Sequence, residues 1–305
     1  MAVVKVRRKY EMKNIMIAGA GVLGSQIAYQ TALSGFNVSV YNHHIDTAER
    51  RIKALKSDYE RDLHLTDKEF QQGLDNIKVI TDDIATAVKD ADLMIEALPE
   101  SLELKERFYE EVSELAPDKT IFASNSSTFI PSQLAPYTDR PERFLNMHFA
   151  NQIWKFNVVE IMGTSQTSPE VIEEATKFAR EIKMVPIILN KEQHGYILNS
   201  LLIPLLASGL SLWAKGVADP AMIDKDWMIS TGAPMGPFGI LDMVGLRTAA
   251  QIERNAYAQT TDESHKEIVD KMEQMIQEGH EGKESGQGFY NYPNPAFMDP
   301  DFLKH

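Results

Sequence analysis

A glycine-rich turn between two β-rich segments near the N-terminus constrains the fold of this chain more than any other feature. The apolar run at residues 15–18 is followed by Gly-Ala-Gly-Val-Leu-Gly at residues 19–24, then by a helical stretch and a second β-rich run at residues 38–41. This order of strand, turn, helix and strand is the one that a dinucleotide-binding βαβ unit requires. The sequence therefore predicts that the chain binds a dinucleotide. The alternative interpretation is an ordinary βαβ turn without a ligand.

Each glycine has a different role in such a turn. Gly19 makes the tight turn off the strand, Gly21 lets backbone amides approach a pyrophosphate, and Gly24 lets the helix pack closely on the sheet. The N-terminus of the helix adds free N–H groups and a positive dipole for the phosphates. The residues of this turn that are predicted to bind the coenzyme are Gly19, Gly21, Val22, Leu23 and Gly24.

The rest of the chain divides near residue 190. Before that point, β-rich runs alternate with helical patterns, so residues 1–190 are predicted to form a Rossmann-type, doubly wound α/β domain with a mainly parallel sheet. Its strands are predicted at residues 15–18, 38–41, 77–80, 93–97, 120–123, 144–148, 158–161 and 185–189.

Helical patterns fill the remaining segments. A long charged helical pair is predicted at residues 46–74, and Thr66-Asp-Lys-Glu69 forms a capping box that opens its second member. The basic residues of this pair, among them Arg51, are interleaved with acidic ones and are expected to form a solvated face. The alternative is that they meet a phosphate group of a ligand. Residues 191–305 are predicted to form an all-α domain. Its helices are expected at residues 195–215, from Asp219-Pro220, from Gly236-Pro237 and at residues 262–278.

Composition limits the classes of function. With 43% hydrophobic and 25% charged residues, the 305-residue chain is expected to be globular. The absence of cysteine excludes disulfides, thiol catalysis and zinc–cysteine sites, and we expect a cytoplasmic protein that binds no metal. The net charge of −13 argues against non-specific nucleic-acid binding. No apolar stretch is expected to span a membrane, and the basic residues 1–13 are expected to form a short arm rather than a signal peptide.

A histidine and a glutamate in neighbouring apolar runs are candidates for acid–base chemistry. Glu160 lies inside Val-Val-Glu-Ile, where a buried carboxylate needs a partner, and His148 ends an apolar run twelve residues earlier. A carboxylate that accepts one imidazole N–H fixes the tautomer and strengthens the other nitrogen as a base. The alternatives are a structural histidine and a glutamate that points to solvent.

Two further polar positions lie near the predicted ligand-binding edge. Ser127 ends Ser-Asn-Ser-Ser, which follows the predicted strand at residues 120–123, at the carboxyl end where open α/β sheets bind ligands. Its alternative role is to cap the short helix that starts near Pro131. Asn199 lies in an otherwise apolar helix and must be hydrogen-bonded if it is buried; its alternative role is a helix–helix hydrogen bond.

Across nearly its whole length the chain resembles the L-3-hydroxyacyl-CoA dehydrogenase family. The matching blocks are Gly-Ala-Gly-Val-Leu-Gly, Ile-Glu-Ala-Leu-Pro-Glu, Ala-Ser-Asn-Ser-Ser, Met-His-Phe-Ala-Asn, Gly-Tyr-Ile-Leu-Asn-Ser-Leu-Leu-Ile-Pro, Gly-Ala-Pro-Met-Gly-Pro-Phe and Gly-Gln-Gly-Phe-Tyr. The resemblance implies an NAD-dependent enzyme of fatty acid metabolism that interconverts a 3-hydroxy and a 3-keto group. It also implies a homodimer held largely through the helical domain.

The resemblance assigns roles to individual residues. It implies that His148 is the catalytic acid/base, that Glu160 is its partner, and that Ser127 and Asn199 bind substrate and cofactor in the cleft. Positions that match the nicotinamide end of the cofactor site are Glu100, Lys105 and Asn151. In a family-like fold the helix that carries Trp227 borders the cleft, so this ring is predicted to limit substrate bulk. The alternative is a plain core tryptophan.

Departures from the family pattern concern the substrate and the coenzyme. The family usually reads His-Phe-Phe-Asn-Pro-Val-Pro where this chain has His-Phe-Ala-Asn-Gln-Ile-Trp, and Ser200 and Glu284 replace basic residues. These changes are expected to lie in or near the substrate cleft or to remove positive charge. A 3-hydroxybutyryl-CoA-like substrate is expected from the family. The pattern His-Phe-Ala-Asn-x-x-Trp, with Leu-Asn-Ser-Leu-Leu and Thr-Gly-Ala-Pro, resembles most closely the diketoreductase branch of the family. The alternative is therefore a diketoreductase or 3-hydroxycarboxylate dehydrogenase that acts on non-thioester substrates. Asn42 stands where NAD-specific members carry an acidic residue for the adenosine ribose.

Overall fold

The computed structural model of the chain describes residues 12–304. The basic arm predicted for residues 1–13 lies outside the described residues except for its last two positions. The chain divides into two compact units, of which the first ends at Ile197 and the second begins at Leu198. The first unit contains the sheet, and the second is helical.

The first unit is built on one eight-stranded sheet, and all eight predicted strands are confirmed to within two residues. The strand order is β3-β2-β1-β4-β5-β6-β7-β8, and every neighbouring pair is parallel except β6 and β7. This is the predicted doubly wound, mainly parallel arrangement. The strands are β1 (Asn14–Ala18), β2 (Asn37–Tyr41), β3 (Ile77–Thr81), β4 (Leu93–Glu96), β5 (Ile121–Ser124), β6 (Phe144–Phe149), β7 (Val158–Gly163) and β8 (Val185–Ile188).

Helices cover the sheet, and the central strands are buried because apolar clusters lie on both faces. The capping box of Thr66 and Glu69 is present at the start of α4, as predicted. The first member of the charged pair is interrupted at Leu55, whose N–H bonds to the carbonyl of Ile52. The helices of this unit are α1 (Val22–Leu33), α2 (Ile45–Ala54), α3 (Lys56–Leu63), α4 (Asp67–Asp75), α5 (Ile84–Val88), α6 (Leu102–Leu115), α7 (Pro131–Leu134) and α8 (Pro169–Glu181).

The second unit consists of helices packed around its own apolar core, which includes Leu210, Phe238 and Met272. The sequence did not predict α12, because this helix begins after Gly245 without a capping side chain and so lacks the usual N-terminal signal. The helices are α9 (Tyr196–Ala214, which begins in the first unit), α10 (Pro220–Thr231), α11 (Pro237–Val244), α12 (Leu246–Thr260) and α13 (Glu263–Gln277).

A buried carboxylate explains one of the glycine-rich blocks as a packing feature of this unit. Asp224 accepts hydrogen bonds from the N–H groups of Phe238 and Gly239, at 2.8 and 2.9 Å, and from the Tyr290 hydroxyl at 2.9 Å. A Cβ atom at Gly236 would lie 2.4 Å from the Asp224 carboxyl carbon, so only glycine fits there. The block Gly-Ala-Pro-Met-Gly-Pro-Phe therefore allows α10, α11 and the loop that carries Tyr290 to meet at the Asp224 carboxylate. Burial raises the pKa of Asp224 above its ordinary value.

We expect Asp224→Ala to lower the free energy of unfolding of the helical unit by roughly 2–4 kcal/mol, because two buried N–H groups and one hydroxyl lose their acceptor. The raised pKa means that the contribution of this carboxyl to stability is complete below its unfolded pKa and is lost as pH rises through the folded pKa. Urea unfolding should therefore show a smaller difference between wild type and variant at about pH 7 than at about pH 4. An equal difference at both pH values would contradict this account.

The longest helix, α9, is strongly apolar. Its mean hydropathy over an 18-residue window is 1.7, and 22% of that window is buried. By length and composition alone it is the one helix within residues 12–304 that is able to cross a membrane. This differs from the sequence expectation that no apolar stretch of the chain is able to span a membrane.

Candidate active site

Strand pairing brings the predicted histidine and glutamate together. In the antiparallel pair β6–β7, His148 and Glu160 are directly opposite each other. The His148 Nδ1 atom lies 3.0 Å from the Glu160 Oε2 atom, and the two residues are 7% and 3% exposed. The second carboxylate oxygen, Oε1, accepts the N–H of Ile197 at 2.9 Å, at the N-terminal end of α9. Glu160 is therefore held inside the protein and does not point to solvent.

The other imidazole nitrogen meets the predicted serine. The Ser127 Oγ atom lies 3.0 Å from Nε2 of His148, and Ser127 itself is exposed. A carboxylate can only accept, so Nδ1 carries the proton of the neutral ring and Nε2 accepts from the serine hydroxyl. Ser127, His148 and Glu160 thus form one hydrogen-bonded chain that ends at solvent, which is the arrangement of an oriented general base.

The serine loop after β5 is shaped by its own hydroxyls and by Glu100. Ser126 Oγ accepts the N–H groups of Thr128 and Phe129, at 3.1 and 2.8 Å, and donates to Glu100 Oε2 at 2.8 Å. Glu100 Oε1 also accepts the N–H of Ser127 at 3.0 Å. Glu100 therefore positions the serine that touches His148.

The serines do not cap α7, which was the alternative role. The N–H of Ile130, at the start of that helix, is bonded to Gln133 Oε1 at 3.1 Å. The hydroxyls of the loop are used within the loop and at the imidazole instead.

A buried ion pair lies beneath this loop, and the sequence reasoning missed its carboxylate. Lys105 is 1% exposed, and its Nζ atom lies 2.5 Å from Oε1 of the fully buried Glu96 and 3.8 Å from Glu100 Oε2. Glu96 Oε2 accepts from Ser124 at 2.8 Å and from Tyr109 at 3.3 Å. Burial, reinforced by the charge of Glu96, raises the pKa of Tyr109 well above its ordinary value. The structure thus places Lys105 in an internal network below the serine loop.

The glycine-rich turn has the shape that a dinucleotide requires. Gly19 adopts a φ of +96°, and a Cβ atom on Gly24 would lie 2.0 Å from the Gly19 carbonyl oxygen. Nothing lies within 4 Å of a Cβ atom at Gly21. The turn borders a cavity of about 360 Å³ that extends to Asn42 and Arg51. The close turn, the open space at the middle glycine and the N-terminus of α1 fit the pyrophosphate and adenosine ribose of NAD.

Asn42 and Arg51 both contact the turn. Asn42 Oδ1 accepts the N–H of Ala20 at 3.0 Å, and its Nδ2 donates to the carbonyl of His44 at 2.9 Å. The Arg51 guanidinium donates to the carbonyl of Ala20 at 3.1 Å. Arg51 is exposed, but it is not simply part of a solvated helix face as expected. It borders the same cavity, because a short loop of three residues joins β2 to α2, the helix that carries Arg51.

The remaining predicted residues occupy other places. Asn151 is exposed and its Oδ1 accepts from Gln26 Nε2, on α1, at 2.8 Å. Trp154 was expected in or near the substrate cleft. It instead lies in the core, with its ring against Tyr59 and its Nε1 donating to Asp62 at 2.9 Å. The indole is accommodated there by Tyr59 and the Asp62 carboxylate of α3.

Asn199 and Trp227 lie on α9 and α10 of the helical unit, and both are half-buried. Their roles remain predictions. Within residues 12–304, no group of three or more histidine, cysteine, aspartate or glutamate side chains is arranged to hold a metal ion.

Models of one protein family match both parts of the chain. The family model for the NAD binding domain of 3-hydroxyacyl-CoA dehydrogenase matches residues 14–193, and the model for the C-terminal domain matches residues 195–292. A probable 3-hydroxybutyryl-CoA dehydrogenase of Bacillus subtilis (strain 168) is 30% identical over 285 residues, which cover 92% of this chain and 98% of that protein.

Solved structures show the same relation. One of them is a diketoreductase whose structure was solved in connection with its substrate-directed dual catalysis of dicarbonyl compounds. It is 47% identical to this chain and superposes with a TM-score of 0.88 over 93% of this chain and all of that one. An (S)-3-hydroxybutyryl-CoA dehydrogenase from Ralstonia eutropha is 26% identical, with a TM-score of 0.78 over 93% of this chain and all of that one. The chain therefore belongs to the 3-hydroxyacyl-CoA dehydrogenase family and is an NAD-dependent oxidoreductase of that type.

Proposed function

We propose that His148 is the acid/base of this oxidoreductase and that Ser127 orients the substrate oxygen beside it. The observation that carries the proposal is the continuous chain from Ser127 Oγ through His148 to Glu160, with both links at 3.0 Å. In the oxidation direction, Nε2 takes the proton of the substrate hydroxyl, and in the reduction direction the imidazolium returns it to the substrate oxygen. Glu160 stabilises the imidazolium from the other side.

Hydride transfer is the chemistry that bound NAD supplies. The protein residues that would hold it are those of the turn at Gly19–Gly24, whose amides and helix N-terminus suit the pyrophosphate, and Asn42, which suits the adenosine ribose. Glu100 and Asn151 are proposed for the nicotinamide end. Lys105 is proposed to act there through Glu96 and Glu100, since its Nζ atom is buried on these carboxylates.

For the substrate, we infer a short 3-hydroxyacyl-CoA thioester of the 3-hydroxybutyryl type. The names of the Bacillus and Ralstonia relatives support this inference. A non-thioester dicarbonyl compound is the second candidate, because the diketoreductase is 47% identical. Two replacements also favour the non-thioester compound. Ser200 and Glu284 stand where the family usually has basic residues, so positive charge that would suit the anionic CoA group is removed.

One assay separates the two candidates. NADH oxidation is measured with acetoacetyl-CoA and, in parallel, with a free 3,5-diketo ester, each at several concentrations below saturation. A higher kcat/KM for acetoacetyl-CoA supports the thioester. A higher value for the free ester supports the second candidate, and no turnover with either would contradict both.

The ribose end of the coenzyme site predicts a preference for NADH that is weaker than an acidic residue would give. Asn42 accepts a hydrogen bond without the negative charge that repels a 2′-phosphate, and Arg51 adds positive charge beside it. Asn42→Asp should lower kcat/KM for NADPH more than for NADH, which the ratio of the two constants measures. Faster turnover of the wild-type protein with NADPH at equal subsaturating concentration would contradict the preference.

Trp227 is proposed to limit the bulk of the substrate. We expect Trp227→Ala to raise activity on bulky ketones relative to small ones, by up to about tenfold, since it removes a large ring that is half-buried in the helical unit. Relative kcat/KM for a small and a bulky ketone measures the effect, and Trp213→Phe serves as a tryptophan control in the helical core. An equal loss for both ketones would identify Trp227 as structural.

We further propose a cytoplasmic homodimer that functions in fatty acid metabolism. The apolar exposure of α9, on which Leu201 is 70% exposed, supports a second copy of the chain as its covering partner. Sedimentation analysis should find a dimer for the wild-type protein and a smaller species for Leu201→Glu. A wild-type monomer, or co-sedimentation of the wild type with lipid vesicles, would contradict this proposal.

A further inference from the structure

We propose that Tyr196 is a positioning residue that fixes the plane of the His148 imidazole for proton exchange. The inference rests on the acid/base role of His148 proposed above. It concerns a residue that the sequence did not single out, because an aromatic residue at the start of an apolar helix has no distinguishing pattern. The geometry that points to it is a ring stack on the catalytic imidazole.

The two hydrogen bonds of His148 hold the ring only at its edge. Nδ1 faces Glu160 and Nε2 faces Ser127, each at 3.0 Å, and neither bond packs against the face of the ring. A flat contact on that face restricts the remaining rotation of the ring about the Cβ–Cγ bond. Tyr196 makes that contact: the ring centroids are 4.3 Å apart and the planes differ by 13°.

Tyr196 is itself held from several sides. Its hydroxyl donates to the carbonyl of Ser126 at 2.7 Å and accepts from Asn146 Nδ2 at 2.8 Å. Burial raises the pKa of this hydroxyl, which stays neutral and so remains a donor to Ser126. Because Asn146 lies two residues before His148 on β6, the tyrosine is tied to the same face of the strand that carries the imidazole.

The backbone at this position supports a functional interpretation. Tyr196 adopts a left-handed φ of +55°, directly after Gly195 at +78°. A bulky residue rarely takes this conformation, which persists only where surrounding contacts determine it. Here it directs the ring onto His148 and brings the next N–H, that of Ile197, to Glu160 at 2.9 Å. One turn of backbone thus contacts both members of the histidine–glutamate pair.

Three variants test the role of the ring. Tyr196→Leu removes the stack, Tyr196→Phe keeps the stack and removes the hydroxyl, and Tyr59→Leu is a matched control that removes another fully buried tyrosine of the same unit. We expect Tyr196→Leu to lower kcat by roughly 10- to 100-fold, the scale of a misplaced catalytic group, while the dissociation constant of NADH stays the same. Tyr196→Phe should stay within about threefold of wild-type kcat. Tyr59→Leu should lower stability and leave the kcat of the folded protein unchanged.

A second test uses the His148→Ala protein, which lacks the imidazole. It distinguishes a positioning role of Tyr196 from a purely structural one. In His148→Ala protein, adding Tyr196→Leu should lower the residual rate no further, because the ring acts through His148. The NMR signals of the His148 ring protons, identified by their loss in His148→Ala, should lie upfield in the wild type because they stack over an aromatic face. This measurement needs no Tyr196 variant, so it tests the stack even if Tyr196→Leu does not fold.

The outcomes separate this inference from the proposed function. Near-wild-type turnover of His148→Ala would contradict both. A large loss in His148→Ala, combined with kcat of Tyr196→Leu within twofold of wild type, or with equal losses for Tyr196→Leu and Tyr196→Phe, would overturn the positioning role alone. Wild-type His148 ring signals at the positions of solvent-exposed histidines would overturn it as well.

Discussion

His148→Ala should lower turnover by about 10²- to 10⁴-fold in both reaction directions, the usual range for a positioned acid/base. The imidazole is the central group of the Ser127–His148–Glu160 chain, and its Nε2 atom is the one proposed to exchange a proton with the substrate oxygen. Affinity for NADH should remain close to that of the wild type, since the turn at Gly19–Gly24 and Asn42 are proposed to bind the other end of the coenzyme. Steady-state rates and a fluorescence titration with NADH measure the two quantities.

The helical unit supplies a matched control for this variant. His265 pairs with the buried Glu253, at 2.6 Å, and neither residue belongs to the proposed site. His265→Ala removes an imidazole from a comparable pair and should leave kcat unchanged. Near-wild-type turnover of His148→Ala with coenzyme still bound would remove His148 from the mechanism.

Glu160→Gln should lower kcat by roughly 10²- to 10⁴-fold, which is the loss expected when the catalytic imidazole is held in the wrong tautomer. In the wild type, Oε1 accepts the N–H of Ile197 and Oε2 faces Nδ1 of His148. A glutamine that keeps its carbonyl oxygen on Ile197 turns its NH₂ group toward Nδ1. The proton of the ring then moves to Nε2, which no longer accepts from Ser127 or from a substrate hydroxyl.

The control for this variant is again in the second histidine–glutamate pair. Glu253→Gln makes the same chemical change beside His265 and should leave kcat unchanged. Wild-type kcat for Glu160→Gln, in protein that binds NADH normally, would show that the carboxylate does not set the tautomer.

Much of the fold was predictable because its periodic signals are local. The eight strands are short apolar runs bounded by turns, and the capping box of Thr66 and Glu69 marks a helix start without any tertiary information. The helix α12 was not predicted because Gly245 replaces the side chain that would mark its beginning.

The candidate site was predictable where a charged residue lies within an apolar run of the sequence. A glutamate inside Val-Val-Glu-Ile indicated a buried partner, and the structure brings Glu160 to His148. The same contrast exists at Glu96, which lies within an apolar strand and pairs with the buried Lys105. The contacts of Tyr196 and Arg51 depend on how the chain folds back on itself, and no spacing in the sequence reveals them.

The central claim is that His148 and Glu160 act as one unit, and the turnover of the double variant His148→Ala/Glu160→Gln tests it most directly. Measured beside the two single variants with coenzyme binding intact, its kcat should be little lower than that of His148→Ala alone, because Glu160 has no imidazole left to orient. A double variant whose loss equals the product of the two single losses would contradict the claim, since Glu160 would then contribute independently of His148.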